Sequence, residues 1–277
     1  MGKLLRKLRS YVDRTFDLIS PLAMLNLYFD RYTGAENRPV FFEIASAFPA
    51  LNRLTEHYSE IKEELEAILS GKPVMMKYHV MDLTQRHSRE YYRDRDWKVL
   101  MLYAMGERWE KNRALCPKTC ALLDEVPDLF QAFFSLLEGG KSVPEHHGPY
   151  RGYLRYHLGL KIPKENPPSL RVSDRWYVWE ERKAILFDDS LQHEVVNNAE
   201  EDRIVLIVDV LRPMPPIPQY VNRLFSQTVI RYVYAKGVLK VSPIIWRLTK
   251  AFSNSRLNSF LHRRRFPSYL PPLSHSE

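Results

Sequence analysis

YLRYHLGLKI, residues 153–162, is the stretch whose pattern decides the fold. In an extended chain successive side chains point to opposite sides. Leu154, Tyr156, Leu158, Leu160 and Ile162 therefore share one face, and Tyr153, Arg155, His157 and Gly159 share the other. Similar short runs surround it: AFFSLL (132–137), SLRVS (169–173), RWYVWEE (175–181), KAILFDD (183–189), HEVVN (193–197) and RIVLIVDV (203–210). Turn signals separate them, among them the loop GGKSVPEHHGP (139–149). Short strands at this spacing predict an antiparallel sandwich or jelly-roll barrel.

Helical patterns flank this region. FPALNRLTEHYSEIKEELEAILSGK (48–72) carries its charges at helical spacing and meets a stop at Gly71. KVLMLYAMG (98–106) reads as a strand, and PKTCALLDEVPDLFQ (117–131) as one or two short helices. At the start, Leu4, Leu8, Tyr11, Val12, Phe16 and Ile19 form the apolar face of a basic amphipathic helix. SPLAMLNLYFDRY (20–32) follows, apolar and rich in tyrosine. Beyond the proline-rich exit LRPMPPIPQ (211–219), residues 220–237 return to helical spacing, and 263–277 read as a loose tail. The expected organisation is thus N-terminal helices over 1–71, a β domain over 72–212 with its motif core at 132–210, and a basic helical extension over 213–277. No repeat or low-complexity run is present.

A chain of 277 residues, 45% hydrophobic and 27% charged, suits one sizeable catalytic domain with helical additions, or two small domains. No apolar run is long enough to predict a transmembrane helix. The first residues lack the apolar core of a signal peptide, and Arg6 stands where a myristoylation signal wants Ser or Thr. Cys116 and Cys120 fall on adjacent turns of one helix. They supply too few ligands for zinc, so reduced structural thiols in a cytosolic protein are expected.

The net charge of +8 is unevenly spread. From Leu211 onward eleven Lys/Arg face one acid, Glu277, which gives that segment +10 and leaves −2 for residues 1–210. A second small basic cluster, Lys3, Arg6, Lys7 and Arg9, lies at the start. Such asymmetry points to an anionic partner.

Chemistry concentrates in three places. Arg155 and His157 are two apart on one strand and share a side. His193 and Arg203 are ten apart around NNAEED (197–202), which predicts a hairpin centred near Asn198 with both on a common face. His146, on the preceding loop, closes over them. Histidine as metal ligand beside arginine as carboxylate clamp is the chemistry of a metal site with an anionic co-substrate. Patterning alone leaves a solvated sheet face as an open alternative.

HHGPYRGYLRYHLGLKIP (146–163), followed by WEERKAILFDDSLQHEVVNNAEEDRIVLIVDVLRP (179–213), resembles the aspartyl/asparaginyl beta-hydroxylase family. Within that family the likeness is nearest to bacterial lipid A 2-hydroxylases and ornithine-lipid hydroxylases. The resemblance implies a double-stranded β-helix that uses Fe(II), 2-oxoglutarate and O2. It implies that His146 and His193 ligate the iron and that Arg203 pairs with the distal carboxylate of 2-oxoglutarate. Arg155, His157 and Ser135 match residues around the co-substrate, while His147 falls where no ligand is needed. The carboxylate that most such enzymes place two residues after the first histidine is replaced here by Gly148, with Asp188, Asp189 and Glu194 as nearby substitutes. The activity so implied is hydroxylation of carbon 2 of a lipid-linked acyl chain. β-Hydroxylation of Asp or Asn, in a peptide or free, is the alternative, and a non-catalytic binding module a third reading. The expected partner is an anionic membrane surface or lipid, with no nucleic acid and no stable protein partner. The expected place is the inner face of a bacterial cytoplasmic membrane, as a peripheral cytoplasmic protein.

Overall fold

A computed structural model describes residues 21–71, 75–77 and 96–228. The expected N-terminal amphipathic helix, the loose tail and most of the basic C-terminal segment lie outside the described residues. The strands in chain order are β1 (Phe41–Phe42), β2 (Met76–Lys77), β3 (Trp97–Ala104), β4 (Glu107–Arg108), β5 (Leu129–Leu137), β6 (Val143–His146), β7 (Tyr153–Lys161), β8 (Ser169–Val172), β9 (Arg175–Val178), β10 (Ala184–Phe187), β11 (His193–Val196) and β12 (Arg203–Leu211). The longer helices are α1 (Pro21–Thr33), α2 (Tyr58–Ser70), α3 (Pro117–Asp124) and α4 (Pro216–Phe225).

Two antiparallel sheets face each other. The larger runs β1-β10-β7-β12-β5-β3-β2, with β4 beside β3, and the smaller runs β6-β11-β8-β9. From β5 onward the chain alternates between them: β5, β7, β10 and β12 enter the large sheet, and β6, β8, β9 and β11 the small one. This winding is a double-stranded β-helix, the jelly-roll architecture of cupins.

The strand β12 is its axis. RIVLIVDVL is buried at every position, as a near-continuous apolar run requires when both faces of a strand are covered. Val205 and Ile207 face the space between the sheets, with Phe133, Leu170, Val172 and Phe187. Ile204, Leu206, Val208 and Val210 face outward, where they pack with Leu154, Tyr156, Leu158 and Leu160 beneath α2 and α3. The alternation read from 153–162 holds through Leu160. Ile162 instead joins the inner core, because the β7–β12 register shifts between Ile204 and Val205. A side chain at Gly159 would strike the backbone of Glu180, so only glycine fits there.

The helices follow from local chemistry. Tyr58, Ile61, Leu65 and Ile68 form the buried face of α2. The expected helix over 48–72 is interrupted at His57 (φ −91°, ψ 22°), which leaves a short helical turn, Asn52–Glu56, before α2. Glu64 of α2 accepts hydrogen bonds from the Lys118 and Thr119 backbone N–H groups at 2.7 and 2.8 Å. A carboxylate is thereby placed on the positive end of α3. Cys116 and Cys120 are buried free thiols with their sulfurs 3.8 Å apart on adjacent turns. PLAMLNLYFDRYT is the helix α1, held by buried Leu25 and Phe29. The proline-rich exit is not a loop throughout, since α4 starts at Pro216. Proline at the first helical position lacks only an N–H that the first turn leaves unused.

Asp188 ties these layers together. Its carboxylate accepts a hydrogen bond from Arg38 at 2.8 Å and forms an ion pair with Arg212 at 2.6 Å, and all three are buried. Ser190 adds backbone and hydroxyl bonds at 3.0 and 2.6 Å. Removing a carboxylate from such a group strands two buried cations. Asp188→Ala is expected to lower stability by about 3–5 kcal/mol, read from the urea midpoint. A loss under about 1 kcal/mol would show that water reaches the two arginines.

Candidate functional site

His146 ends β6, His193 begins β11, and the two are register partners in the small sheet. Their rings lie 4.1 Å apart between centroids. His146 Nδ1 bonds the Pro144 carbonyl at 2.8 Å and His193 Nδ1 bonds the Leu191 carbonyl at 2.9 Å. A carbonyl only accepts, so both Nδ1 atoms carry a proton, which leaves Nε2 as the nitrogen of each ring that can turn a lone pair to a metal. That tautomer, held by the backbone, is the one a metal-ligating imidazole needs. Burial, reinforced by the neighbouring His193, pushes the His146 pKa down to about 4. His146 is therefore neutral at pH 7 and ready to ligate. His147 is exposed.

The expected hairpin between His193 and Arg203 does not form. β11 pairs with β6 and β8, whereas β12 pairs with β5 and β7, in the opposite sheet. The two residues nonetheless serve one interior, because the sheets face each other. Arg203 is 2% exposed, and its Nε and Nη1 have no hydrogen-bond partner in the protein. Burial alone pushes its pKa down to about 9, which still leaves a cation at pH 7. An uncompensated buried ion costs several kcal/mol, so this guanidinium fits a ligand carboxylate.

A continuous line of side chains joins the arginine to the histidines. Arg203 sits 4.7 Å above the Trp179 ring, and His157 stacks on Trp179 at 5.8 Å. Phe187 meets His157 at 5.1 Å and His193 at 5.9 Å. Both ring nitrogens of His157 and the indole nitrogen of Trp179 are buried and unpartnered. Burial, then the charge of Arg203, holds His157 well below its ordinary pKa. Ser135 is fully buried beside this line, opposite Val205, and its hydroxyl accepts from Trp97 Nε1 at 2.9 Å. Nothing in the sequence marked Trp179, which lies just beyond β9 and enters the inner core through the fold.

Arg155 is placed differently from Arg203. Its guanidinium makes a two-pronged pair with Asp209 at 2.7 and 2.8 Å and a third bond to Asp189 at 2.5 Å. The structure thus engages Arg155 with the protein's own carboxylates rather than leaving it open for a co-substrate. Tyr153 donates to the same Asp189. Burial acts against the Asp189 carboxylate, yet Arg155 and His193 outweigh it and hold its pKa below the ordinary value. Asp189 Oδ1 lies 3.3 Å from His193 Nε2.

These partners sort the three candidate carboxylates. Asp188 is committed to Arg38 and Arg212, and Glu194 to Arg171 at 2.6 Å. Asp189 alone reaches the histidines. Among the described residues, no three His, Cys, Asp or Glu form a metal-holding group. The donor set is two imidazoles, which suits a divalent iron completed by an oxygen chelator. At Gly148 an added Cβ would overlap the Asp189 carboxylate and the Tyr153 hydroxyl. The position of the usual carboxylate is closed sterically.

The loop that follows His146 is clasped by two helices. Asn26 of α1 donates to the Pro149 carbonyl at 2.8 Å and accepts from the Arg151 N–H at 2.9 Å. Arg151 pairs with Asp30. Asn222 of α4 accepts from Tyr150 and donates to the Gly152 carbonyl at 2.7 Å. The Tyr150 ring packs with Phe29 of α1 at 6.0 Å and Phe225 of α4 at 6.4 Å.

Comparison with known proteins follows the same site. The aspartyl/asparaginyl beta-hydroxylase family profile matches residues 55–213. The chain is 34% identical over 193 residues to an ornithine lipid ester-linked acyl 2-hydroxylase of Rhizobium tropici, covering 69% of this chain and 67% of that protein. It is 40% identical over 123 residues to the aspartyl/asparaginyl beta-hydroxylase of Homo sapiens, covering 43% of this chain but 16% of that much longer protein. Among solved structures, a cupin domain of a transcriptional regulator from Enterobacter cloacae overlaps 42% of this chain and 98% of its own, at 13% identity and a TM-score of 0.30. The fold assignment rests on the strand order.

Two outcomes check the site. Gly148→Ala is expected to displace Asp189 and to weaken divalent-metal binding at least about tenfold, since disturbing the groups around a ligand typically costs 10–100-fold; calorimetric titration with Mn(II) measures it. His157 is neutral when folded, whereas its ordinary pKa is 6.5. The unfolded chain binds the extra proton below that value, so stability falls as pH drops from 6.5 towards the depressed folded pKa. His157→Leu is expected to flatten this slope in pH-resolved urea melts of the metal-free protein. An unchanged slope would assign the effect to other groups.

Proposed function

The chain belongs to the aspartyl/asparaginyl beta-hydroxylase family, and from that premise we propose an Fe(II)/2-oxoglutarate-dependent dioxygenase that hydroxylates carbon 2 of a lipid-linked fatty acyl chain. The observation that carries this reading is a buried cation without an anion, Arg203, in the interior that also receives His146 and His193.

His146 and His193 would hold the iron through their Nε2 atoms, and Arg203 would take the far carboxylate of 2-oxoglutarate by a charge-assisted bond. Bound there, iron, 2-oxoglutarate and O2 supply the oxidising power that turns an unactivated C–H bond into C–OH, with succinate and CO2 as co-products. The chain's own residues orient and seclude. Phe133, Phe187, Val205 and Ile207 line the interior and exclude water from it. His157 and Trp179 offer nitrogens with no protein partner beside the Arg203 end. Arg155 and Tyr153 act through Asp189, fixing its carboxylate against His193. Arg155 in this reading is a positioning residue.

The acyl substrate is favoured by the extent of likeness. The Rhizobium tropici protein is matched over two thirds of its length, the human one over about a sixth. β-Hydroxylation of Asp or Asn remains a second reading, supported by the higher identity to the human protein within the shared segment. The complete donor and clamp set speaks against a non-catalytic module. No helix among the described residues is long and apolar enough to cross a membrane. A peripheral position on the inner face of the cytoplasmic membrane suits this substrate.

Mass spectrometry of lipids from expressing cells is expected to find acyl chains with one added oxygen. His193→Ala should abolish the product, and Arg203→Ala should raise the KM for 2-oxoglutarate at least about tenfold, the usual cost of removing one partner of a buried charge pair. Full hydroxylation by His193→Ala with normal iron content would sink the assignment. A product found on Asp or Asn, with lipids unchanged, would move the substrate to the second reading.

A further inference from the structure

The helices that clasp the His146 loop are two-faced. On their inner sides α1 and α4 bury Leu25, Phe29 and Asn222 around Tyr150. On their outer sides each carries an apolar stripe at helical spacing. Met24 and Leu27 of α1 are 66% and 52% exposed. Ile217, Tyr220 and Leu224 of α4 are 74%, 67% and 51% exposed. Scattered exposed apolar residues are ordinary, but the i, i+3, i+7 stripe of α4, with the i, i+3 pair of α1, is a surface in search of a partner.

Charge identifies the partner. Residues 21–228 sum to −3, so the protein's whole positive excess lies in the two flanking segments. Residues 1–20 carry five Lys/Arg against two acids and lead directly into α1. Residues 229–277 carry nine against one and follow α4 after three residues. Both basic segments therefore join the chain at the two helices that bear the exposed stripes. Apolar side chains bounded by cationic chain match a bilayer with anionic headgroups, where acyl boundary and phosphate lie side by side. Tyr220 adds an amphipathic ring suited to that boundary.

We infer that the outer faces of α1 and α4 form the docking surface by which the protein sits on an anionic lipid bilayer. This deepens the acyl-chain reading and rests on it. The surface backs onto the ligand loop, because Asn26, Phe29, Asn222 and Phe225 of the same helices hold residues 149–152. Docking thus sets down the bilayer beside the segment that carries His146.

The test uses the full-length protein and two double variants, Ile217→Glu with Leu224→Glu, and Met24→Glu with Leu27→Glu. Each is sedimented with phosphatidylglycerol/phosphatidylcholine vesicles and with pure phosphatidylcholine, at low and high salt. Analytical centrifugation and thermal melts run in parallel. Wild type is expected to prefer the anionic vesicles and to keep a salt-resistant fraction bound. Both variants should bind at least about tenfold less, losing that fraction, with melts unchanged. Wild-type binding by the variants would overturn the inference, leaving the basic segments alone responsible. Conversion of a dimer to a monomer with vesicle binding intact would overturn it in favour of a self-interface. If the variants lose vesicle binding but wild type oxidises no lipid, the docking surface stands and the acyl substrate falls.

Discussion

Two guanidiniums lie between the sheets, and the fold treats them in opposite ways. Arg155 is saturated by Asp209 and Asp189. Arg203 is the more deeply buried of the two, yet two of its nitrogens have no partner. Arg155 fixes Asp189, which stands against His193 and closes the space at Gly148. Arg203 remains the one open demand for negative charge in that interior among the described residues. A closed β-helix sharpens this demand, since the sheets that bury the cation also keep water from satisfying it.

The metal end is organised by the backbone. Pro144 and Leu191 carbonyls fix both imidazoles in one tautomer, and strand pairing brings the rings together. Neither histidine depends on a long side-chain network for its orientation. The loop between β6 and β7 is different. It is held by side chains from α1 and α4, which come from the far ends of the described chain. The helical additions are thus structurally continuous with the site. They connect its geometry to the outer surface of the protein.

Much of this was legible in sequence for a plain reason. Period-2 alternation with turn signals is a local pattern, and β7 to β12 fall where it placed them, whereas β6 (Val143–His146) forms inside the stretch read as a loop and β5 starts at Leu129, inside one read as helical. The shared face of Arg155 and His157 followed from the same parity, as did the common face of Leu154 to Leu160, which the structure turns outward. Local pattern failed where pairing is non-local. His193 and Arg203 looked like opposite ends of a hairpin, but β11 and β12 cross to different sheets. Ile162 changed sides at a register shift that no residue type announces. The helix over 216–225 began earlier than its periodicity indicated, because prolines counted as breakers are harmless in a first turn.

The sequence alone determined which residues are available for chemistry. It set the histidine pair, the arginine that follows, the glycine in place of a carboxylate, and the alternation that puts Arg155 and His157 on one side of their strand, because residue identity and strand parity are local properties. Only the tertiary structure decided what each polar group does. Whether a buried arginine serves a ligand or a neighbouring aspartate depends on which carboxylates the sheets bring within bonding distance. Arg155 received two, Arg203 received none, and the pattern along the strands is silent on that difference.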